Sequence, residues 1–139
     1  MALRDGYTVE VEGVRELDRA LRRADREARK SLRAELKAAA GVVAAEAQAV
    51  AAARGLGRPG RSGRGAGRLV RSIKPGLQGS GAVVRVGANR AGYPYPAVYE
   101  FGRGGARAFL RPAAERKQGE VRERAEDAMQ AAIRKAGLA

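Results

Sequence analysis

The spacing of hydrophobic positions changes along the chain, and each change predicts an element. Residues 7–12 (YTVEVE) alternate between apolar and polar, which predicts a short half-buried strand closed by Gly13. From residue 14 the apolar positions recur about every 3.6 residues, which predicts one amphipathic helix over residues 14–53. Such a helix would be about 60 Å long. We therefore expect it to kink near Gly41 or to be shared with a neighbouring subunit.

The second half of this helix, residues 38–53, is almost entirely alanine and other small residues. A face of small side chains allows another helix to approach closely, so the last helix or another subunit would pack there. The alternative is that the alanines only raise helix propensity. The pattern alone leaves both interpretations open.

The middle of the chain is less regular. Residues 54–67 (RGLGRPGRSGRGAG) have no hydrophobic period, which predicts a mobile loop. Residues 68–75 (RLVRSIKP) suit either a helical turn or a strand, and residues 82–88 indicate a strand that completes a hairpin.

The final helix is predicted over residues 112–136, opened by Pro112 and stopped by Gly137. The sequence thus predicts a single domain over residues 1–139. Its class is α+β, with a long N-terminal helix and a C-terminal helix packed on a small antiparallel sheet.

Large side chains are concentrated in one segment. Five of the six aromatic residues fall in residues 93–114, within a predicted sheet and aromatic core segment at 68–111. Because burial free energy scales with apolar area, we expect the other elements to pack around this segment. Glu100, between two aromatics, is either a solvated edge carboxylate or the partner of Arg107 or Arg111.

The charge distribution favours an acidic partner. The chain has a formal net charge of +13, and no acid lies between Glu46 and Glu100, where nine basic residues occur. The Gly/Arg loop could neutralise DNA phosphates without base stacking, dock onto an acidic protein ring, or serve only as a solvated loop. The residues expected to contact a partner or DNA are Arg58, Arg61, Arg64 and Arg68.

Catalytic and cofactor chemistry finds little support in the sequence. The chain has no cysteine and no histidine, so thiolate and imidazole catalysis are excluded. Gly55, Gly57 and Gly60 match G-x-G-x-x-G, but a helix precedes them where a dinucleotide site needs a strand. We predict no enzymatic activity, no metal site and no cofactor. No signal peptide or membrane span is expected, and no membrane partner.

Four short motifs follow one another in the second half of the chain: A-G-R-L-x-x-S-I (66–73), V-x-V-G (84–87), Y-P-A-V-Y-E-F-G (95–102) and A-F-L-R-P-A (108–113). Together they resemble the tail-component family of long-tailed bacteriophages, which includes tail-completion and head–tail joining proteins. The resemblance covers about residues 14–136. This chain has Ala66 where the family usually has Thr, and Ala108 where it often has Pro. The motif residues singled out are Leu69, Ser72, Ile73, Tyr99, Glu100, Phe101, Gly102, Phe109, Leu110, Arg111 and Pro112.

This resemblance implies a structural protein of the virion, in the neck or at the head-proximal end of a siphovirus tail, assembled in the bacterial host cytoplasm. It implies a homo-oligomeric ring, with six subunits expected, acting as a tail-completion, tail-terminator or connector protein. Its partners would be neighbouring neck, connector and tail-tube proteins, and double-stranded DNA passing through the lumen and contacted at its backbone only. The alternative is a small basic accessory protein that binds nucleic acid without sequence preference.

Overall fold

The computed structural model describes residues 6–9, 11–53, 68–86 and 108–138. The elements, in chain order, are β1 (Gly6–Val9), α1 (Val14–Ala24), α2 (Arg26–Ala53), α3 (Arg68–Ser72), β2 (Lys74–Gln78), β3 (Gly81–Arg85) and α4 (Leu110–Lys135). The predicted α+β class is confirmed, since long helices from both ends of the chain accompany a three-stranded antiparallel sheet.

The long N-terminal helix predicted over residues 14–53 is interrupted at Asp25. This residue is extended, with φ −158° and ψ 103°, and its N–H still bonds the carbonyl of Leu21. Its carboxylate accepts a hydrogen bond of 3.0 Å from the N–H of Ala28, so one residue ends α1 and caps α2. The break in the long helix thus lies at Asp25, whereas α2 continues as helix through Gly41, near which a kink was one of the two expectations. A glycine inside a helix costs only about 1 kcal/mol, which packing can offset.

Helix α2 is the element around which the described part of the chain packs. It contacts α1, α3, α4 and both strands of the β2–β3 hairpin. Its buried residues are Ala28, Leu32, Leu36, Ala39, Ala40, Val43, Ala44, Ala47, Val50 and Ala51. The aromatic segment at 93–114 was expected to have this central position, but most of it lies outside the described residues.

Helix α4 runs antiparallel to α2, and the contact between these two helices is the most extensive one between described elements. Arg116, near the start of α4, forms a 3.1 Å ion pair with Glu46 in the second half of α2. At the other end, Lys135 donates a 3.1 Å hydrogen bond to Ser31 in the first half of α2. The small side chains of α2 thus pack against the last helix of the same chain. This helix is one of the two partners that the sequence left open, the other being another subunit.

Helix α2 also has the length and mean hydropathy of a bilayer-spanning helix, alone among the helices described, which the sequence interpretation did not expect. Ten of its residues are buried against the rest of the fold. The central helix of a folded core has the same length and hydropathy.

The sheet has the strand order β1-β3-β2, with both pairs antiparallel. Tyr7 of β1 lies opposite Val84 of β3, and Val84 is fully buried in the core against which α2 packs. Gly79 and Ser80 form the two-residue turn between β2 and β3. Gly79 has φ 58°, which the first residue of such hairpin turns requires.

The stretch at 68–75 and the last helix differ in how well the sequence defined them. The ambiguous stretch at 68–75 is a helical turn followed by a strand. Helix α4 begins two residues before Pro112, which lies in its first turn. It ends at Lys135, and Gly137 just beyond it has φ 68° and donates to the carbonyl of Arg134, while Leu138 donates to the carbonyl of Ile133.

Candidate interaction surface

An ion pair with a buried carboxylate holds α1 against α2. Asp18 is the one charged residue that is buried within the described part of the chain, with a relative exposure of 2%. Its carboxylate accepts a 2.9 Å hydrogen bond from Nε of Arg29, and Nη2 of Arg22 lies 3.9 Å from its second oxygen. Because Asp18 is on α1 and Arg29 on α2, the pair sets the angle at which the two helices meet after Asp25.

A groove lined by basic side chains lies beside this junction. Its volume is about 660 Å³, and it is open to solvent. The six cations that line it, which we call the basic groove, are Arg22, Arg26, Arg29, Lys30, Arg33 and Lys37. Ala34 of α2 and Leu77 of β2 provide its apolar lining.

The spacing of the basic residues on α2 explains why they share one side. Arg26, Lys30, Arg33 and Lys37 are separated by four, three and four residues, so they follow one face of the helix. The β2–β3 hairpin forms the opposite wall. It is held there because Arg33 donates a hydrogen bond from Nη1 to the carbonyl oxygen of Gly79.

The cations of the groove are not equally available. Arg29 is paired with Asp18, and Arg33 is bonded to the hairpin turn. Arg26, Lys30 and Lys37 are exposed and form no ion pair with any residue that the structure describes. These three charges, above an apolar floor, suit carboxylate or phosphate groups carried by a partner.

Three of the motif residues predicted from the sequence are buried together. Ile73, Phe109 and Leu110 all belong to the main hydrophobic cluster, and each is at most 2% exposed. The carbonyl of Ile73 also accepts a 2.8 Å hydrogen bond from Nε2 of Gln48, which attaches the start of the hairpin to α2.

The other predicted residues are less informative. Ser72 is half-buried at the end of α3, Arg111 is exposed, and Pro112 is half-buried in α4. Arg68 and Leu69 lie in α3, where only the backbone is described. Outside the described residues lie Arg58, Arg61, Arg64, Tyr99, Glu100, Phe101 and Gly102, together with the expected pairing of Glu100.

The basic groove was not predicted from the sequence. Residues 14–53 contain acids as well as bases, and their mixture indicated an ordinary solvated surface. The signal was the helical spacing from Arg26 to Lys37. Of the acids in that half of α2, Glu35 falls on the far side of the helix from this row and Glu27 at its edge.

Within residues 6–9, 11–53, 68–86 and 108–138, no group of acidic side chains converges as metal ligands would. Every buried side-chain nitrogen or oxygen in those ranges has a hydrogen-bond partner.

Comparison with known proteins gives the family. The profile of the bacteriophage HK97-gp10-like family, an inferred tail component, matches residues 15–102. This match covers more than half of the chain, so the chain belongs to that family, as the sequence motifs indicated. The match ends at Gly102, and the A-F-L-R-P-A motif and α4 follow it. No curated protein and no solved structure matches the chain.

Proposed function

We propose that this chain is a structural protein of the phage neck or of the head-proximal end of the tail, acting in tail completion, tail termination or head–tail connection. The observation that carries the proposal is membership of the HK97-gp10-like family, whose members are inferred tail components. In this proposal the chain assembles in the host cytoplasm as a ring of identical subunits, with six expected, and joins neighbouring virion proteins. It catalyses no reaction.

The fold supports an architectural role. Helices α2 and α4 lie antiparallel and bury alanines against each other, which gives a rigid pair of rods about 40 Å long. Their outer faces remain exposed and charged. A rigid element with charged faces suits contacts between subunits of a virion.

DNA passing through the lumen would be contacted at its phosphates only. We assign this contact, or one to a neighbouring ring, to Arg58, Arg61, Arg64 and Arg68, because glycine and arginine without aromatics suit backbone neutralisation and not base stacking.

The test is to stop translation of this gene in the phage or prophage that encodes it and to image the particles formed. We expect filled heads and separate tails, with joining restored when the wild-type chain is supplied in trans. The Gly119→Ala variant is a matched control, because a side chain at this exposed helical position would contact nothing within 4 Å. Normal numbers of joined particles without the protein would contradict the proposal.

A nucleic-acid-binding accessory protein is the second candidate, and the net charge of +13 and the basic groove favour it. Binding to duplex DNA at 50 and 200 mM salt separates the two. An accessory protein should bind tightly at low salt and lose about 10³-fold or more in affinity over this range. It should also leave head–tail joining intact when it is absent.

A further inference from the structure

The described surface carries an acidic patch as well as the basic groove. Glu123, Glu126 and Asp127 are exposed on α4, and within the described part of the chain they form no ion pair. Their spacing of three and four residues places them on one face, which we call the acidic face. This face points away from Val121 and Ala125, which are buried toward the core.

The acidic face cannot reach the basic groove of its own chain. Helix α4 packs along the flank of α2 that carries Ser31, where Lys135 bonds it. The groove lies on another flank, between α2 and the β2–β3 hairpin. Because the two charged surfaces lie on different sides of one molecule, they can pair with each other only between two copies.

We propose that the basic groove of one subunit binds the acidic face of α4 of the next subunit. Such a contact is heterologous, because two different patches meet, and repeating it gives a ring if the rotation closes. The proposal rests on the proposed function, and it identifies the surfaces that join neighbouring subunits of that ring.

The acidic face is short enough to lie within the length of the groove. The row from Arg26 to Lys37 extends about 16 Å along α2, and the acidic face from Glu123 to Asp127 about 6 Å along α4. A helix lying in a groove also covers the apolar floor at Ala34 and Leu77. A phosphodiester backbone would gain from the cations but not from that floor, which favours a protein occupant.

The test uses two sets of charge reversals. The first is Arg26→Glu, Lys30→Glu and Lys37→Glu in the groove; the second is Glu123→Lys, Glu126→Lys and Asp127→Lys on the acidic face. All six positions are exposed, and circular dichroism checks that both variants fold. The control is Arg19→Glu with Arg23→Glu, which reverses two exposed charges of α1 that do not line the groove.

Sedimentation velocity of the full chain at one concentration gives the readout. We expect the wild type and the control to assemble. Each reversed variant alone should associate at least about 100-fold more weakly, because like charges then face each other. An equimolar mixture of the two reversed variants should assemble again, since each groove then meets an oppositely charged α4.

Three results would overturn the contact: a monomeric wild type, a reversed variant that still assembles, or a mixture that stays monomeric. If the groove reversals abolish duplex DNA binding and the mixture does not assemble, the groove is a phosphate site.

The particle test is independent of these results. Unjoined heads and tails with intact self-association in both variants would remove this contact and keep the proposed function. Joined particles formed without the protein would contradict the proposed function and leave the contact between subunits to be judged by the assembly experiment alone.

Discussion

The carboxylate of Asp18 is buried at the junction between α1 and α2. A buried carboxylate is costly unless it is paired, and Asp18 meets this requirement through Nε of Arg29 at 2.9 Å. Arg29 is itself about a quarter exposed, so it keeps part of its hydration. The pair therefore contributes more to the geometry of the junction than a surface ion pair would.

We predict that Asp18→Ala lowers the free energy of unfolding by about 2 kcal/mol, because Arg29 loses its partner in a partly desolvated position. Urea unfolding followed by circular dichroism measures the change. Glu16→Ala is the control, since Glu16 is exposed on the same helix, and it should cost no more than about 0.5 kcal/mol. Equal losses in the two variants would show that the pair contributes nothing particular.

The sequence predicts the roles of single residues with strong backbone preferences, but it does not predict which side chains pair with each other. Gly137 follows the last apolar position of α4 and adopts the positive φ that ends it. Asp18 has the same sequence context as any exposed aspartate on a charged helix. Its partner Arg29 is eleven residues away, beyond one turn, and becomes a neighbour only because the chain turns at Asp25.

At the scale of elements, the helix pair α2–α4 is built from small side chains. Each helix places a row of buried alanines in the core, so the helices approach without large interlocking groups. Such an interface has little room for added volume, because protein interiors are close-packed.

We predict that Ala125→Leu destabilises the fold by about 1–3 kcal/mol, because Ala125 is fully buried on the core side of α4 and extra methylenes must displace neighbours. The matched control is Ala131→Leu, an exposed position of the same helix, which should change stability by less than about 0.5 kcal/mol. Thermal or urea unfolding of both variants checks this. If the larger side chain at 125 is accepted without loss, the alanine interface is not tightly packed.

The hydrophobic period predicts that the long elements are helices, but it does not predict where a helix is interrupted. The stripe of apolar positions continues through residues 21–28 without a change of period, so it gave no sign of the break at Asp25. The side chain of Asp25 caps the start of α2 by accepting a hydrogen bond from the N–H of Ala28, a local interaction that a hydrophobic pattern does not record. Helix propensity alone makes Gly41 the weaker point of the long helix.

For the whole molecule, the order of strand-like and helix-like hydrophobic patterns along the chain predicts the class of fold. It does not predict the candidate interaction surface. The basic groove combines the end of α1, the first half of α2 and Leu77 of β2, and such a combination depends on packing between distant segments. The Gly/Arg loop is identifiable in the sequence because its composition is extreme. Lys30 and Lys37 are not, because Glu27 and Glu35 lie near them in sequence, and only the folded structure shows that neither lysine forms an ion pair with a described acid.

The central position of α2 predicts a gradient of local stability. Amides of residues 36–47 should open only when the whole fold opens, because α2 is covered by α4 on one side and by the sheet on another. Strand β1 pairs only with β3 and is an edge among the strands described, so its amides should exchange at least about tenfold faster. Hydrogen exchange measured by mass spectrometry compares the two segments. The measurement is repeated on the groove-reversal variant, so that protection by a neighbouring subunit is not mistaken for protection by the fold. Exchange in β1 as slow as in the centre of α2 would mean that the sheet and the helices open as one unit, and α2 would then have no special place in the stability of the fold.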